Sequence, residues 1–244
     1  MTYPLSRRLA AWGVHLYTAL GIPLVWVCLH ALHVNNPRAF FLAQAAACWI
    51  DATDGWLARK VDVKAVLPGF SGRRLDDIVD YLHFVVLPLL ALPALGIIPQ
   101  SWSPLIILPM MASAYGFCQE LAKTEDSFVG FPSYWNILTL YLYVLSASAR
   151  TTALSLVILS ALIFVPIHYI YPSKTARLQG WTVGLGLVWT ALVVVMSLRP
   201  ESELAARIGW FSLYYPAWYL FVSALHHRDV KRREALGEAP VAGA

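Results

Sequence analysis

DATDGWLARK, residues 51–60, ends a long apolar stretch with two aspartates and an arginine. Asp51 and Asp54 lie three residues apart, so a helix would place both carboxylates on one face. A carboxylate inside a membrane-spanning segment costs about 2.5–3.5 kcal/mol on insertion scales, and such residues usually face the protein interior and carry function. The stretch therefore predicts a functional site near the end of an apolar helix.

The composition of the whole chain is typical of a membrane protein. Of its 244 residues, 59% are hydrophobic and 13% are charged, and the mean hydropathy is +0.60, whereas soluble domains carry about 25% charged residues. Cys28, Cys48 and Cys118 lie in apolar runs without a CxxC or Cys/His pattern. This predicts reduced core residues and neither a disulfide nor a zinc site.

Apolar runs of roughly 20 residues, the length that crosses a bilayer, recur along the chain and predict an all-α polytopic membrane protein. We expect eight spans, at 11–33, 39–60, 76–98, 103–122, 134–149, 152–171, 181–198 and 208–226. If the N-terminus is cytoplasmic, the lysines and arginines fall on the cytoplasmic side except for Arg38, Arg150, Arg199 and Arg207. This asymmetry follows the positive-inside rule and places both termini in the cytoplasm.

The chain divides into two parts of different composition. We expect residues 1–230 to form one membrane domain, and residues 231–244 to form a basic and then disordered tail. The net charge of +4 fits basic loops that face anionic lipid, so no nucleic-acid partner is required.

A second acidic group begins the third expected span. Asp76 and Asp80 are one helical turn apart and share a face, whereas Asp77 is turned by about 100°. The loop VDVKAVLPGFSGRRL, 61–75, is short enough to make the second and third spans antiparallel neighbours with their acids at one depth. Four converging carboxylates would repel one another without cations between them, and Mg²⁺ and Mn²⁺ prefer oxygen ligands. The pattern predicts a divalent-metal site.

Small residues and a cation accompany the acids. Gly55 and Ala58 lie along one edge of the second span and leave room for a bulky group, and Arg59 offers a planar cation to phosphate oxygens. Together they predict a diphosphate-bearing substrate, with metals polarising the phosphoryl oxygens and one acid accepting a proton. Helix packing and an ion pathway are the alternative explanations of the acids.

At these positions the chain resembles the integral-membrane CDP-alcohol phosphotransferases, whose pattern is D-x2-D-G-x2-A-R-x8-G-x3-D-x3-D. All eight fixed residues are present, but the gap between Arg59 and Gly72 holds twelve residues, four more than in the pattern. This longer gap resembles the corresponding gap of the bacterial members that make phosphatidylcholine. The segments GFPSYWN (130–136) and VPIHYIYPSKT (165–175) are also similar to those members, so the resemblance covers nearly the whole chain.

The resemblance implies a role for each motif residue. Asp51, Asp54, Asp76 and Asp80 would bind two divalent ions, Mn²⁺ or Mg²⁺, with Asp80 also the general base, and Gly55, Ala58, Arg59 and Gly72 would shape the CDP site. The implied reaction is direct attack of the choline hydroxyl on the lipid-linked phosphorus of CDP-diacylglycerol, with CMP leaving. The resemblance further implies a homodimer in the bacterial inner membrane, with its active site on the cytoplasmic side.

Aromatic residues predict where choline would be recognised, because a quaternary ammonium binds aromatic faces. The candidates lie near the cytoplasmic ends of the fourth to sixth spans: Tyr134, Trp135, Tyr169 and Tyr171, with Glu120 as counter-charge. Trp and Tyr also collect at membrane interfaces, which is the alternative explanation. Serine, glycerol 3-phosphate or inositol phosphate remain possible acceptors, although spans four to eight contain few of the basic residues that a phosphorylated acceptor needs.

Three residues near the motif have two interpretations each. Arg73 and Arg74 would either hold the lipid phosphate or anchor the end of the third span as positive-inside residues. His83 follows Asp80 by three residues and lies on the acid face, so it would either orient Asp80 or be a core histidine.

A divalent-cation or proton transporter is the remaining alternative function, and it is disfavoured because the acidic motif is not repeated in the second half.

Overall fold

A computed structural model describes residues 3–119, 127–172 and 174–236, and most of them are helical. The helices are α1 (Leu5–Ala19), α2 (Gly21–His33), α3 (Pro37–Val61), α4 (Val63–Val66), α5 (Gly72–Asp80), α6 (Leu87–Ala94), α7 (Ile107–Cys118), α8 (Trp135–Val144), α9 (Ala149–Ile163), α10 (Gln179–Leu198), α11 (Glu203–Ser212) and α12 (Tyr214–Ala235). A π-helix covers Tyr81–Val86, a 3₁₀-helix covers Gln100–Ile106, and the strands are β1 (Ser127–Val129) and β2 (His168–Ile170).

Helices occupy each of the eight positions where spans are expected, but they differ in length. Two helical segments of the described part are long and apolar enough to cross a membrane by length and composition, Leu5–His33 and Gln179–Leu198. α8 has ten residues and is therefore about 15 Å long, half of the roughly 30 Å hydrocarbon layer. The helical character is confirmed, whereas the number of eight crossings stays a prediction.

α3 carries the first half of the motif and is 25 residues long. Asn36 caps its start, because its side chain accepts a hydrogen bond from the Ala39 N–H at 3.0 Å, and Pro37 follows where a missing N–H costs nothing. Asp62 ends the helix in the left-handed conformation, with φ of 55°, which aspartate tolerates better than most residues. The first two motif aspartates lie in the second half of this rod.

α5 carries the second half of the motif. Ser71 caps it by accepting a hydrogen bond from the Arg74 N–H at 3.3 Å. Directly after Asp80 the helix widens into the π-helix Tyr81–Val86 before α6 continues. π-Helical turns are rare and frequently occur at functional sites. This one begins at the residue that follows the last motif aspartate.

The sequence predicts an all-α chain, and the structure corrects this at one place. β1 and β2 pair in a short antiparallel sheet, with Phe128 opposite Tyr169. The predicted span at 152–171 is therefore wrong at its C-terminal end, since α9 ends at Ile163. Pro166 follows closely, and a proline disfavours helix both at its own position and at the residue before it. Tyr169 thus lies on a strand outside the helix.

Two apolar clusters form most of the core. One joins α2, α3, α6, α8, α10 and α11 and contains Phe40, Leu87 and Met196. The other joins the π-helix with α6, α7, α8 and α9 and contains Trp135 and Leu156. These clusters fix α3, the π-helix and α6 against the rest of the bundle. α5 continues directly into the π-helix, so both halves of the motif are positioned by these contacts.

Candidate active site

Three motif aspartates converge where α3 and α5 approach each other. Asp51, Asp76 and Asp80 each place one carboxylate oxygen within 4.8 Å of the others, with Asp80 buried and the other two half-buried. Ionised carboxylates so close together repel, and burial weakens the screening by water. A hard divalent cation relieves this repulsion and prefers oxygen ligands. The three residues therefore fit a divalent-metal site.

Asp54 lines the same small cavity as these three aspartates, although it is not among the oxygens that lie within 4.8 Å of one another. Its carboxylate accepts a hydrogen bond from the Thr18 hydroxyl at 2.7 Å, and both residues are buried. One residue earlier, the Tyr17 hydroxyl lies 2.8 Å from the Thr53 hydroxyl. α1 therefore fixes the orientation of the motif helix at two adjacent residues, a role that the sequence did not indicate.

The small residues of α3 serve two different contacts. A Cβ atom at Gly55 would lie 3.3 Å from Arg59 Nη1, so the guanidinium of this exposed arginine folds back over the glycine. Ala58 packs against an apolar cluster that contains Ala11 and Val14 of α1. Gly55 thus leaves space for the arginine, and Ala58 allows α1 to pack closely.

Gly72 makes space for a histidine. A Cβ atom there would lie 2.9 Å from His15 Cε1, closer than two carbon atoms can pack. The His15 ring contacts Phe70, with 4.4 Å between ring centroids, and Trp12, with 5.7 Å. The aromatic neighbours restrict the ring, so only glycine fits at position 72. The motif alone did not show this contact.

The two arginines at the start of α5 have different surroundings. Arg73 Nε lies 3.8 Å from Asp77 Oδ2 on the surface, a weak, exposed ion pair. Asp77 accordingly lies outside the cluster of three carboxylates, as its helical phase predicts. Arg74 exposes its side chain and donates its backbone N–H to Ser71.

Two of the aromatic candidates contact a residue that the sequence did not single out. The Tyr219 ring of α12 meets Tyr134 edge to face at 6.1 Å between centroids, and Tyr169 with nearly parallel planes at 6.3 Å. Tyr134 also lies close enough to Asp51 for the carboxylate to act electrostatically on its phenol. This tyrosine cluster, Tyr134, Tyr169 and Tyr219, therefore adjoins the acidic site. Tyr219 has no sequence signal, because it lies far along the chain from the motif.

Trp135 and Tyr171 make ring and hydrogen-bond contacts with other residues. Trp135 is fully buried, and its indole N–H donates to the Ser113 hydroxyl at 2.8 Å. Tyr171 stacks on Phe128 at 4.9 Å between centroids. Glu120 lies outside the described residues.

β2 is held against α12, which places Tyr169 beside Tyr219. The His168 backbone N–H donates to His227 Nδ1 at 3.2 Å, and the Ile170 N–H donates to the Ser223 hydroxyl at 3.1 Å. Burial, and then the charge of His227, lower the pKa of His168 below its usual value. A neutral histidine is therefore favoured at this junction.

A larger cavity lies far from the acids. It is about 630 Å³ in volume and is lined by the α2–α3 and α10–α11 connections, including Arg38 and Arg199. Because α3 rises about 1.5 Å per residue, Arg38 and Asp51 are roughly 20 Å apart along the helix axis. The size of this cavity does not make it part of the acidic site.

A partly buried carboxylate cluster, on a helix that also carries an exposed arginine and set among apolar helices, fits a membrane-bound enzyme that acts on phosphate esters. The sequence model of the family described as CDP-alcohol phosphatidyltransferase matches residues 14–197. The chain belongs to that family. The family predicted from the motif is thereby confirmed, and the protein is an enzyme of this type.

Three relatives illustrate the similarity, and each is a phosphatidylcholine synthase. The Legionella pneumophila protein is 40% identical over 70% of this chain and 69% of its own length. The Pseudomonas aeruginosa protein is 32% identical over 89% of this chain and 94% of its own. The Bradyrhizobium diazoefficiens protein is 34% identical over 90% and 83%. The similarity thus extends well beyond the acidic motif.

Proposed function

We propose that the protein transfers the phosphatidyl group of CDP-diacylglycerol to choline, forming phosphatidylcholine and releasing CMP. The observation that carries this proposal is the convergence of Asp51, Asp76 and Asp80 within 4.8 Å in a chain whose relatives are phosphatidylcholine synthases. The acidic cluster supports the chemistry, and the relatives support the choice of acceptor.

The metal and the base come from the same cluster. Asp51, Asp76 and Asp80 would hold a divalent ion, and Asp54 would join them at a second, with Mn²⁺ and Mg²⁺ as the ions of suitable hardness. When bound, these ions supply charge stabilisation to the diphosphate and to the departing CMP. Asp80 is 8% exposed, and we assign it the role of the general base that accepts the proton of the choline hydroxyl. Its burial keeps water from competing for that role.

The CDP moiety would lie along α3 and the start of α5. Arg59 is exposed beside Gly55, so its guanidinium is free of steric obstruction and offers paired donors to phosphate oxygens. Gly72 and Ala58 support this surface by allowing α1 to pack against the motif. Arg74 is the stronger candidate for the lipid phosphate, because Arg73 lies beside Asp77.

Choline would be recognised at the tyrosine cluster. Tyr134, Tyr169 and Tyr219 bring three electron-rich rings together near Asp51, and aromatic faces attract a quaternary ammonium. Trp135 and Tyr171 are engaged in other contacts, so we assign the ammonium to the three clustered rings.

The membrane arrangement is part of the proposal. Eight spans with both termini in the cytoplasm are supported by the distribution of basic residues and by exposed apolar side chains. A membrane domain of residues 1–230 and a tail of residues 231–244 are proposed as well, with α12 continuing to Ala235 across that boundary. Trp26, Trp181 and Phe211 each expose about two thirds of their surface, which suits contact with lipid. The inner membrane, the cytoplasmic active site and the homodimer rest on the family resemblance.

Headgroup transfer by purified protein in detergent tests the proposal. CDP-diacylglycerol and Mn²⁺ would be supplied with choline, serine, glycerol 3-phosphate or inositol phosphate in parallel. We expect CMP and phosphatidylcholine with choline, and loss of both with EDTA or Asp80→Asn. Asp77→Asn is the matched control, because Asp77 lies on the same helix outside the cluster, and it should retain activity.

Each outcome has a distinct meaning. Turnover with another alcohol but not with choline would retain the metal chemistry and refute the assignment of choline to the tyrosines. Absence of CMP release with all four alcohols would refute the transferase proposal and favour the ion-pathway explanation of the acids.

A further inference from the structure

His83 is a buried histidine beside the acidic cluster with one ring nitrogen already engaged. It lies in the π-helix that follows Asp80 and is 1% exposed. Its Nε2 lies 2.8 Å from the Gly21 carbonyl oxygen. Its Nδ1 is buried without a hydrogen-bond partner among the described residues. The sequence-based interpretation that His83 orients Asp80 is therefore not the contact that the structure contains.

The contact with Gly21 determines which ring nitrogen carries the proton. A carbonyl oxygen only accepts hydrogen bonds, so Nε2 of His83 must donate. In a neutral imidazole the other nitrogen then has a lone pair and no proton. In the neutral ring Nδ1 is consequently an acceptor, and leaving a buried acceptor without a partner is unfavourable.

The backbone keeps this arrangement in place. Gly21 is the first residue of α2, and a Cβ atom there would lie 2.3 Å from Val79 Cγ1. A side chain at position 21 would therefore push α5 away from α2 and break the bond to His83. The glycine allows the close approach that holds the imidazole.

Among the described residues, those that line the cavity around His83 offer no free side-chain donor. Its lining includes the four motif aspartates, which only accept when ionised. Thr18 is the one other lining residue with a hydroxyl or amide donor in its side chain, and its single O–H proton is directed to Asp54 at 2.7 Å. None of the side chains that line the cavity therefore has a proton left to donate to Nδ1.

We propose that Nδ1 of His83 accepts a hydrogen bond from an O–H group held at the divalent-metal site. That group is a water in the resting enzyme and the hydroxyl of the acceptor alcohol in the substrate complex. The inference rests on the metal binding proposed above and goes further, because it assigns His83 to the reacting hydroxyl. The lone pair on Nδ1 would orient this hydroxyl beside Asp80.

Two substitutions separate the hydrogen bond that His83 donates to Gly21 from the acceptor function of its Nδ1. His83→Gln keeps an N–H near the position of Nε2 to donate to Gly21, but it has no lone pair at the position of Nδ1. His83→Leu removes both functions. We expect both variants to lower kcat/KM for choline and to weaken Mn²⁺ binding measured by electron paramagnetic resonance, each by about 10-fold or more. His226→Leu, a buried histidine of α12, is the control for cavity formation and should leave Mn²⁺ affinity unchanged.

The outcomes decide between three possibilities. If His83→Gln has the activity and Mn²⁺ affinity of the unmodified protein while His83→Leu loses activity, His83 acts only through its hydrogen bond to Gly21 and the proposal is wrong. If both variants retain full Mn²⁺ affinity and activity, His83 has no role at the site. Mn²⁺ binding is measured without substrate, so a failure of the choline assignment would still leave this test readable.

A measurement on the unmodified protein makes the test independent of variant folding. His83–Phe84 is the chain's single His–Phe pair, so combined labelling of histidine and phenylalanine identifies the His83 resonances by nuclear magnetic resonance. We expect an unprotonated Nδ1 whose nitrogen shift changes when Mg²⁺ is added. A protonated Nδ1, or an Nδ1 shift that Mg²⁺ leaves unchanged, would overturn the proposal.

Discussion

Replacing Thr18 with valine should destabilise the metal-free protein more than the metal-bound protein. The Thr18 hydroxyl donates to Asp54 at 2.7 Å, and the two residues are 6% and 7% exposed, so water cannot replace the lost donor. Hydrogen bonds to charged groups contribute about 1.5–3 kcal/mol, and about 2–4 °C in Tm accompanies each kcal/mol for a chain of this size, which gives a loss of about 3–12 °C. Valine has the same shape as threonine, so packing contributes little to the change.

The assay is thermal unfolding of the detergent-purified protein in EDTA and again in saturating Mn²⁺. A bound cation would give the Asp54 carboxylate a new partner, so the deficit of Thr18→Val should shrink when Mn²⁺ is present. Thr18→Ser keeps the hydroxyl and is the matched control. The reasoning fails if Thr18→Val has the same Tm as the unmodified protein in EDTA, or if Thr18→Ser loses as much stability as Thr18→Val.

Three other predictions follow from contacts near the site. Gly72→Ala should cost about 1–3 kcal/mol of stability, because its Cβ would lie 2.9 Å from His15. In unfolding measurements, adding His15→Ala should recover part of the lost stability, and strictly additive effects of the two substitutions would contradict the steric cause. Ser113→Ala should lower the Tm, since it leaves the buried Trp135 N–H without its acceptor, but it should leave KM for choline unchanged; a raised KM would return Trp135 to the choline site. The folded state lowers the pKa of His168, so the unfolded chain takes up a proton at this residue first as the pH falls. The stability that His168 contributes is therefore present above its usual pKa of about 6.5 and is lost below it. Tm measured from pH 7.5 to 5.5 should fall less steeply in His168→Asn than in the unmodified protein, and equal slopes would contradict this.

The acidic half of the site was predictable because it depends on local geometry. Helical spacing alone places Asp76 and Asp80 on one face and turns Asp77 away, and the structure has that arrangement. The long apolar runs likewise predicted helices, since burial of backbone polar groups in lipid leaves few other options. What spacing cannot give is the length of each helix, as the ten residues of α8 show.

The choline side was less predictable because it depends on contacts between distant segments. Tyr169 and Tyr219 meet only because β2 is held to α12 by backbone donors to His227 and Ser223. No periodicity in the sequence indicates such pairings. Trp135 illustrates the converse, because an aromatic residue next to a candidate site is equally suited to the core.

The unusual gap between Arg59 and Gly72 has a structural explanation in the first helix. Part of the gap forms α4, and its Val63 and Val66, with Leu67, pack into one cluster with Ala11 and Val14 of α1. The extra residues therefore add apolar contacts to the helix that also supplies Thr18 to Asp54 and His15 to Gly72. Because α1 is held both by the gap and by the motif, shortening the gap should loosen Asp54 without changing any motif residue. The lengthened gap and the position of α1 thus form one structural unit that supports the acidic site.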